Sequence, residues 1–228
     1  MIRRTALALV FATTSLSAFA SEAAKAAPAA PAAAPVAAVA APKVDTAKGQ
    51  LLASTVCVGC HGADGNSMLP MNPNLAGQVP EYLAKQIMDF KSADGKPAAR
   101  ANPIMAGMAM MIPADDVKSV AAWFASQTPK PAAAKDEKLV AAGQKLWRAG
   151  NIAKGIPACA GCHGPAGAGL PAQYPRLAGQ FAEYTESQLK AFRAGDRAND
   201  AEKVMRTIAG KMSDPEMKAV AEYAAGLH

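Results

Sequence analysis

The chain has 228 residues, 51% of them apolar, with 24 basic and 18 acidic side chains and a formal charge of +6. No stretch concentrates Lys and Arg with interleaved aromatics, which argues against nucleic acid as a partner. All four cysteines fall in two short motifs, so none is left to build a structural disulfide framework.

Residues 1–20, MIRRTALALVFATTSLSAFA, set Arg3 and Arg4 before an uncharged apolar run and end on Ala18-Phe19-Ala20, the pattern of a secretory signal with its cleavage site. The run from Thr5 to Ala20 is short for a membrane span, which needs about 20 apolar residues. Cleavage and export from the cytosol are therefore expected; a retained signal would instead tie the chain to the membrane. Residues 21–44 are nearly all alanine and proline, and Pro28, Pro31, Pro35 and Pro42 break any continuous helix there. This leader reads as a disordered spacer.

From residue 45 the chain repeats itself. One domain is expected at 45–128 and a second at 136–228, joined by a linker at 129–135. An offset of 102 superimposes CVGCHG on CAGCHG, PNLAGQ (73–78) on PRLAGQ (175–180), Tyr82 on Tyr184, Gln86 on Gln188 and Phe90 on Phe192. Further on the offset is 100, pairing Met105 with Met205 and Trp123 with Tyr223. Ahead of the motif it is 94, pairing Gly49 with Gly143. The second copy thus carries about eight extra residues around GNIAKGIP, just before its cysteines.

Each copy reads as three helices around long irregular loops, and nothing alternates like a strand, so the expected class is all-α. In the first copy TAKGQLLASTVC leads into the motif. PEYLAKQIMDFKS opens on Pro80, suited to a first turn, with Tyr82, Leu83, Ile87 and Phe90 at helical spacing. PADDVKSVAAWFASQ opens on Pro113 and two acids, which favour the positive end of a helix. KDEKLVAAGQKLWRAG, FAEYTESQLKAFRAG and SDPEMKAVAEYAAGL repeat the set. Gly49 and Gly143 would let the first helix of each copy approach the last, beside Trp123 and Tyr223. The first half is neutral, with seven basic and seven acidic residues over 45–130; the second is mildly basic, with thirteen against ten over 131–228. Units this small, with so few aromatics, need more than their own side chains to complete a core, and a large flat apolar cofactor would serve.

The motifs are Cys57, Cys60, His61 and Cys159, Cys162, His163. Two thiols separated by two residues match the two vinyl groups of a porphyrin, and the adjoining histidine becomes an axial ligand of its iron. A zinc site would gather four ligands, whereas each half has three and only His228 is left over. A thioredoxin-like pair belongs on a βαβ framework that is absent here. Two covalently attached haem c groups are the expected cofactors. An open sixth position would permit oxygen or peroxide chemistry, while a second strong ligand leaves a site that passes electrons. Of the many methionines in the first half, only Met105 meets a methionine in the second, Met205, so the expected axial pairs are His61 with Met105 and His163 with Met205. A copper(I) site in IMAGMAMM would suit thioethers but has no counterpart in the second half. Pro73 and Pro175 either offer carbonyls to the histidine Nδ1 atoms or merely shape turns. Arg176 reads as a solvated arginine, with a haem propionate as its other use.

Residues 45–228 resemble the cytochrome c4 family, the dihaem members of the class I c-type cytochromes. The likeness runs through CVGCHGADGNS, NPNLAGQ and IMAGMAMMIPADDVKSVAAWFASQ in the first half. GIPACAGCHGPAGAG, YPRLAGQFAEYTESQLKAFRAG and VMRTIAGKMSDPEMKAVAEYAAGLH carry it through the second. The resemblance implies two cytochrome c folds about a pseudo-twofold axis, haem propionates near their shared interface, and the same two His/Met pairs. It also implies an electron carrier, periplasmic or membrane-associated, that serves redox proteins such as a haem–copper terminal oxidase or another respiratory complex. Two other readings share the motifs. One is a dihaem peroxidase with an open iron, against which the matched methionines weigh; the other is a dihaem subunit of a periplasmic dehydrogenase.

Overall fold

The computed structural model describes residues 43–92 and 95–227. The signal expected at 1–20, and all of the leader expected at 21–44 except its last two residues, lie outside them. The described residues form ten α-helices, joined by loops with isolated β-bridges and no strand.

Helix α1 (Thr46–Leu52) is capped by Asp45, whose carboxylate accepts the Lys48 N–H. It runs without a break through a π-helical turn, Ala53–Cys57, into α2 (Val58–His61). Then come α3 (Pro80–Asp89), α4 (Pro103–Met110) and α5 (Val117–Ala125), the last entered through a 3-10 turn at Ala114–Asp116. The second half repeats the order with α6 (Glu137–Ala149), α7 (Ala160–His163), α8 (Ala182–Ala194), α9 (Val204–Ala209) and α10 (Asp214–Ala225). At α10 the Ser213 side chain caps the first turn while Glu216 reaches back to the Ser213 N–H, a reciprocal capping box.

Two features differ from the three helices expected per copy. The segments carrying Met105 and Met205 are not loops but the short helices α4 and α9. Asn102 caps α4 by accepting the Met105 N–H, and Pro103 supplies its first turn. Because α4 is apolar on every side, it shows no periodicity along the chain. The extra residues of the second copy form the loop 150–159, which separates α6 from α7 where α1 and α2 are continuous.

In the first half α1 and α3 both pack on α5; in the second α6 and α8 both pack on α10. Each half therefore has its own core. Leu83, Ile112, Val117, Val120 and Phe124 fill one, and Leu146, Trp147, Phe192, Met217, Val220 and Tyr223 the other. The helix crossings are close, as the paired glycines suggest. A Cβ on Gly49 would lie 2.1 Å from the carbonyl oxygen of Ser119, and one on Gly143 would lie 2.1 Å from that of Ala219. Among the described residues no helix is long and apolar enough to cross a membrane.

The halves meet through buried polar groups. Arg100 and Arg197 pair in an antiparallel bridge, and each guanidinium stacks on a phenylalanine of its own half, 4.6 Å from the Phe90 centroid and 4.4 Å from the Phe192 centroid. Arg100 donates to Gln86 in its own half and to Tyr184 and Gln188 across the interface. Arg197 donates to Gln188 and Asn199 in its own half and to Tyr82 and Gln86 across it. Neutral oxygens thus satisfy two like charges that would otherwise repel in a dry seam.

Candidate functional site

Each motif lies on a helical turn that ends at its histidine. Cys57 closes the π turn, with Cys60 and His61 on α2; Cys159 precedes α7, which holds Cys162 and His163. A three-residue step along a helix brings both thiols of a pair to one side. None of the four is joined in a disulfide. Cys57 and Cys159 lie against the two hydrophobic cores, and burial pushes each thiol up to about 11.

His61 and His163 are both buried. The Nδ1 of His61 lies 2.9 Å from the carbonyl oxygen of Pro73, and that of His163 lies 2.9 Å from the carbonyl oxygen of Pro175. A carbonyl can only accept, so Nδ1 carries the proton and donates it, leaving Nε2 as a bare lone pair. Burial lowers both histidine pKa values, against the pull of the proline carbonyls, and so favours the neutral ring that a metal requires. Of the two uses open to Pro73 and Pro175, orienting the histidines is the one observed.

Met105 and Met205 are half-buried, on α4 and α9. Met205 packs against the same core as Cys159; Met105 is not among the residues packed against the first core. Met68, Met71, Met88, Met108, Met110 and Met111 are exposed. Arg176, directly after Pro175, is not the freely solvated arginine expected: its Nε is buried with no protein partner in the structure as described. An unpaired buried guanidinium N–H, on the residue next to the carbonyl that holds His163, suits a carboxylate such as a haem propionate.

The two sites are not copies. The His163 ring has Trp147 at 6.4 Å and Tyr174 edge-on at 6.1 Å. At the corresponding offsets the first half has Ala53 and Asn72. The second histidine therefore has two aromatic neighbours, at positions where the first half's sequence carries a methyl group and an amide.

One set of residues was invisible to motif reading. Gln78 and Gln180, the last residues of PNLAGQ and PRLAGQ, reach across the interface to the chain beside the opposite histidine. Asn74 N–H donates to Gln180 Oε1 at 2.9 Å and Gln180 Nε2 donates to Asn74 O at 3.0 Å. Arg176 N–H donates to Gln78 Oε1 at 2.7 Å and Gln78 Nε2 returns to Arg176 O at 2.9 Å. The only signal was that both glutamines recur in the repeat.

Thiol pairs not joined in disulfides, neutral imidazoles and adjoining apolar cores together fit a covalently bound haem at each motif, and at the second the unpaired Arg176 N–H adds to the fit. A sequence profile described as cytochrome c matches residues 46–128 and 140–227. The chain is 48% identical over 190 residues to cytochrome c4 of Thiocapsa roseopersicina, covering 82% of this chain and 95% of that one. It belongs to the cytochrome c4 family. The crystal structure of reduced recombinant cytochrome c4 from Pseudomonas stutzeri superimposes with a TM-score of 0.76 at 40% identity, covering 82% of this chain and 100% of that one. The thiosulfate dehydrogenase electron acceptor of Stutzerimonas stutzeri (strain A1501) is 41% identical over 189 residues, covering 81% of this chain and 85% of that one. As a cytochrome c4-family member, the chain is two cytochrome c folds in tandem. It carries two covalent haem c groups and acts as an electron carrier rather than an enzyme.

Proposed function

We propose that this cytochrome c4-family chain is a periplasmic shuttle that receives electrons from one respiratory redox protein and passes them towards a terminal oxidase. In this reading Cys57 and Cys60 bind one haem and Cys159 and Cys162 the other, within domains at 45–128 and 136–228. His61 with Met105, and His163 with Met205, would hold the two irons. When bound, each haem supplies an iron that cycles between Fe(II) and Fe(III), at a potential that methionine ligation raises. The protein's own groups do the rest. Pro73 and Pro175 hold the Nδ1 protons and fix the ring orientations. The apolar cores beside Cys57 and Cys159 would keep water from a bound porphyrin, so that little reorganises when charge moves.

The observation that carries this reading is the pair of buried imidazoles, each locked at Nδ1 and free at Nε2. Optical spectra of the purified protein in both redox states, with haem quantified per chain, test it. Two covalent low-spin haems, each with the red-edge thioether-to-iron band when ferric, are expected. Carbon monoxide taken up readily by one ferrous centre at neutral pH would refute it in favour of an open, peroxidase-like iron.

The similarity to a thiosulfate dehydrogenase electron acceptor supports such a dehydrogenase as the donor. Rapid reduction of both haems on mixing with a thiosulfate dehydrogenase and thiosulfate is the expected result. Failure to be reduced would eliminate that donor, and failure to be reoxidised by a haem–copper oxidase would eliminate the proposed acceptor.

A further inference from the structure

We propose that the two halves set each other's haem potentials through the peptide units Pro73–Asn74 and Pro175–Arg176. The inference rests on His61 and His163 being axial ligands. Each of these peptides is hydrogen-bonded at both ends. The carbonyl of Pro73 accepts from His61 Nδ1 at 2.9 Å, and the N–H of the same peptide, on Asn74, donates across the interface to Gln180 Oε1 at 2.9 Å. In the other half the carbonyl of Pro175 accepts from His163 at 2.9 Å, and the Arg176 N–H donates to Gln78 Oε1 at 2.7 Å.

The orientation of both glutamine amides is unambiguous. Gln180 Oε1 also accepts the Phe181 N–H at 3.1 Å, and Gln78 Oε1 the Val79 N–H at 2.9 Å. A backbone N–H cannot accept, so an oxygen must face each of these donors. Both glutamines are buried, where polarisation is least screened by water.

When an acceptor draws on the N–H of an amide, electron density moves to that amide's carbonyl oxygen. Neighbouring bonds in such a chain strengthen one another by about 10–30%. Gln180 thereby makes the Pro73 carbonyl a stronger acceptor, and His61 gains imidazolate character and basicity. A more basic axial ligand favours Fe(III). Gln180, in the second half, lowers the potential at His61; Gln78, in the first half, lowers it at His163. Loosening of the interface would raise both.

Gln180→Met and Gln78→Met test this in the haem-loaded protein, since each keeps the side chain's length but replaces the amide oxygen with a weak thioether acceptor. For Gln180→Met, at a fixed applied potential the Fe(II)/Fe(III) ratio at His61 should rise about threefold, about 28 mV at 59 mV per tenfold. The 15N resonance of His61 Nδ1 should move while that of His163 stays. Gln78→Met should do the reverse. Tyr184→Phe, which removes an interface bond to Arg100 but touches neither peptide, should move neither. Gln180→Glu, with a stronger acceptor, should move the His61 resonance in the direction opposite to Gln180→Met, even if pairing of the halves weakens. A shift confined to the variant's own half overturns the proposal. So do equal shifts at both haems, the same response from Tyr184→Phe, shifts of the same sign from Met and Glu, or no shift. A low-spin His/Met spectrum retained throughout separates that failure from an error in the ligand assignment.

Discussion

Gly143→Ala sets two effects against each other where α6 crosses α10. Inside a helix alanine is better than glycine by about 1 kcal/mol. At this crossing, however, the added methyl would sit 2.1 Å from the Ala219 carbonyl oxygen and 2.7 Å from the Tyr223 Cβ. Comfortable contacts begin near about 3.5 Å, so α6 must retreat by about 1 Å or more. Backbone oxygen cannot rotate away, and the retreat parts Leu146 and Trp147 from Met217, Val220 and Tyr223 in the second core. Overpacking of this kind costs about 1–3 kcal/mol, with the upper end fitting an immovable neighbour. The net loss should be about 2 kcal/mol after the propensity gain. For a unit of this size that lowers Tm by roughly 8–16 °C.

Calorimetry of the haem-loaded protein, with Soret circular dichroism to follow each site, provides the assay. The loop 150–159 separates α6 from Cys159, so the spectrum of the second haem should hold until unfolding. Gly49→Ala meets the same clash at Ser119, but α1 runs unbroken through the π turn to His61. There the displacement should reach the first haem and weaken its thioether-to-iron band. An unchanged or raised Tm for Gly143→Ala would refute the close crossing. An intact first haem in Gly49→Ala would refute rigid transmission along α1.

Met105→Ala should abolish the thioether-to-iron band at one haem and create one ferrous centre open to carbon monoxide, with Met205→Ala doing so at the other; an unchanged spectrum for either variant refutes the assigned ligand. Tyr174→Asn gives the second site the amide of the first, and the more polar surroundings should lower the potential at His163, read in a redox titration. At Glu216 burial opposes the charge, but hydrogen bonds from Lys154, Ser213 and Asn151 prevail and hold the carboxyl down to about 2, against an ordinary 4.5. Such a group stabilises fully above its ordinary value, and the stabilisation fades as the pH falls towards about 2. Urea titrations at stepped pH should therefore show Glu216→Gln about 1 kcal/mol less stable at neutral pH, through the lost charge facing Lys154, since glutamine can keep the cap, with a shallower decline between those limits.

The chemistry of this protein is legible along its chain because covalent attachment depends on spacing. Cys57, Cys60 and His61 are neighbours in one turn wherever that turn lies, and their recurrence at Cys159, Cys162 and His163 makes coincidence untenable. The helix crossings at Gly49 and Gly143 were readable for a similar reason: a missing side chain at matched positions is a local mark of a close approach. Arg100 and Arg197 escaped. Their copies are offset by 97, between stretches offset by 102 and 100, so compensating changes in loop length hid the match. Helix α4 escaped because a short element that is apolar all round has no period, and α9 because six residues are too few to display one. The reach of Gln78 and Gln180 to the opposite peptides, and the aromatic walls that only His163 has, came from folding alone. A hydrogen bond between groups about a hundred residues apart is specified by how two surfaces pack, and packing leaves no periodic trace in the order of the residues.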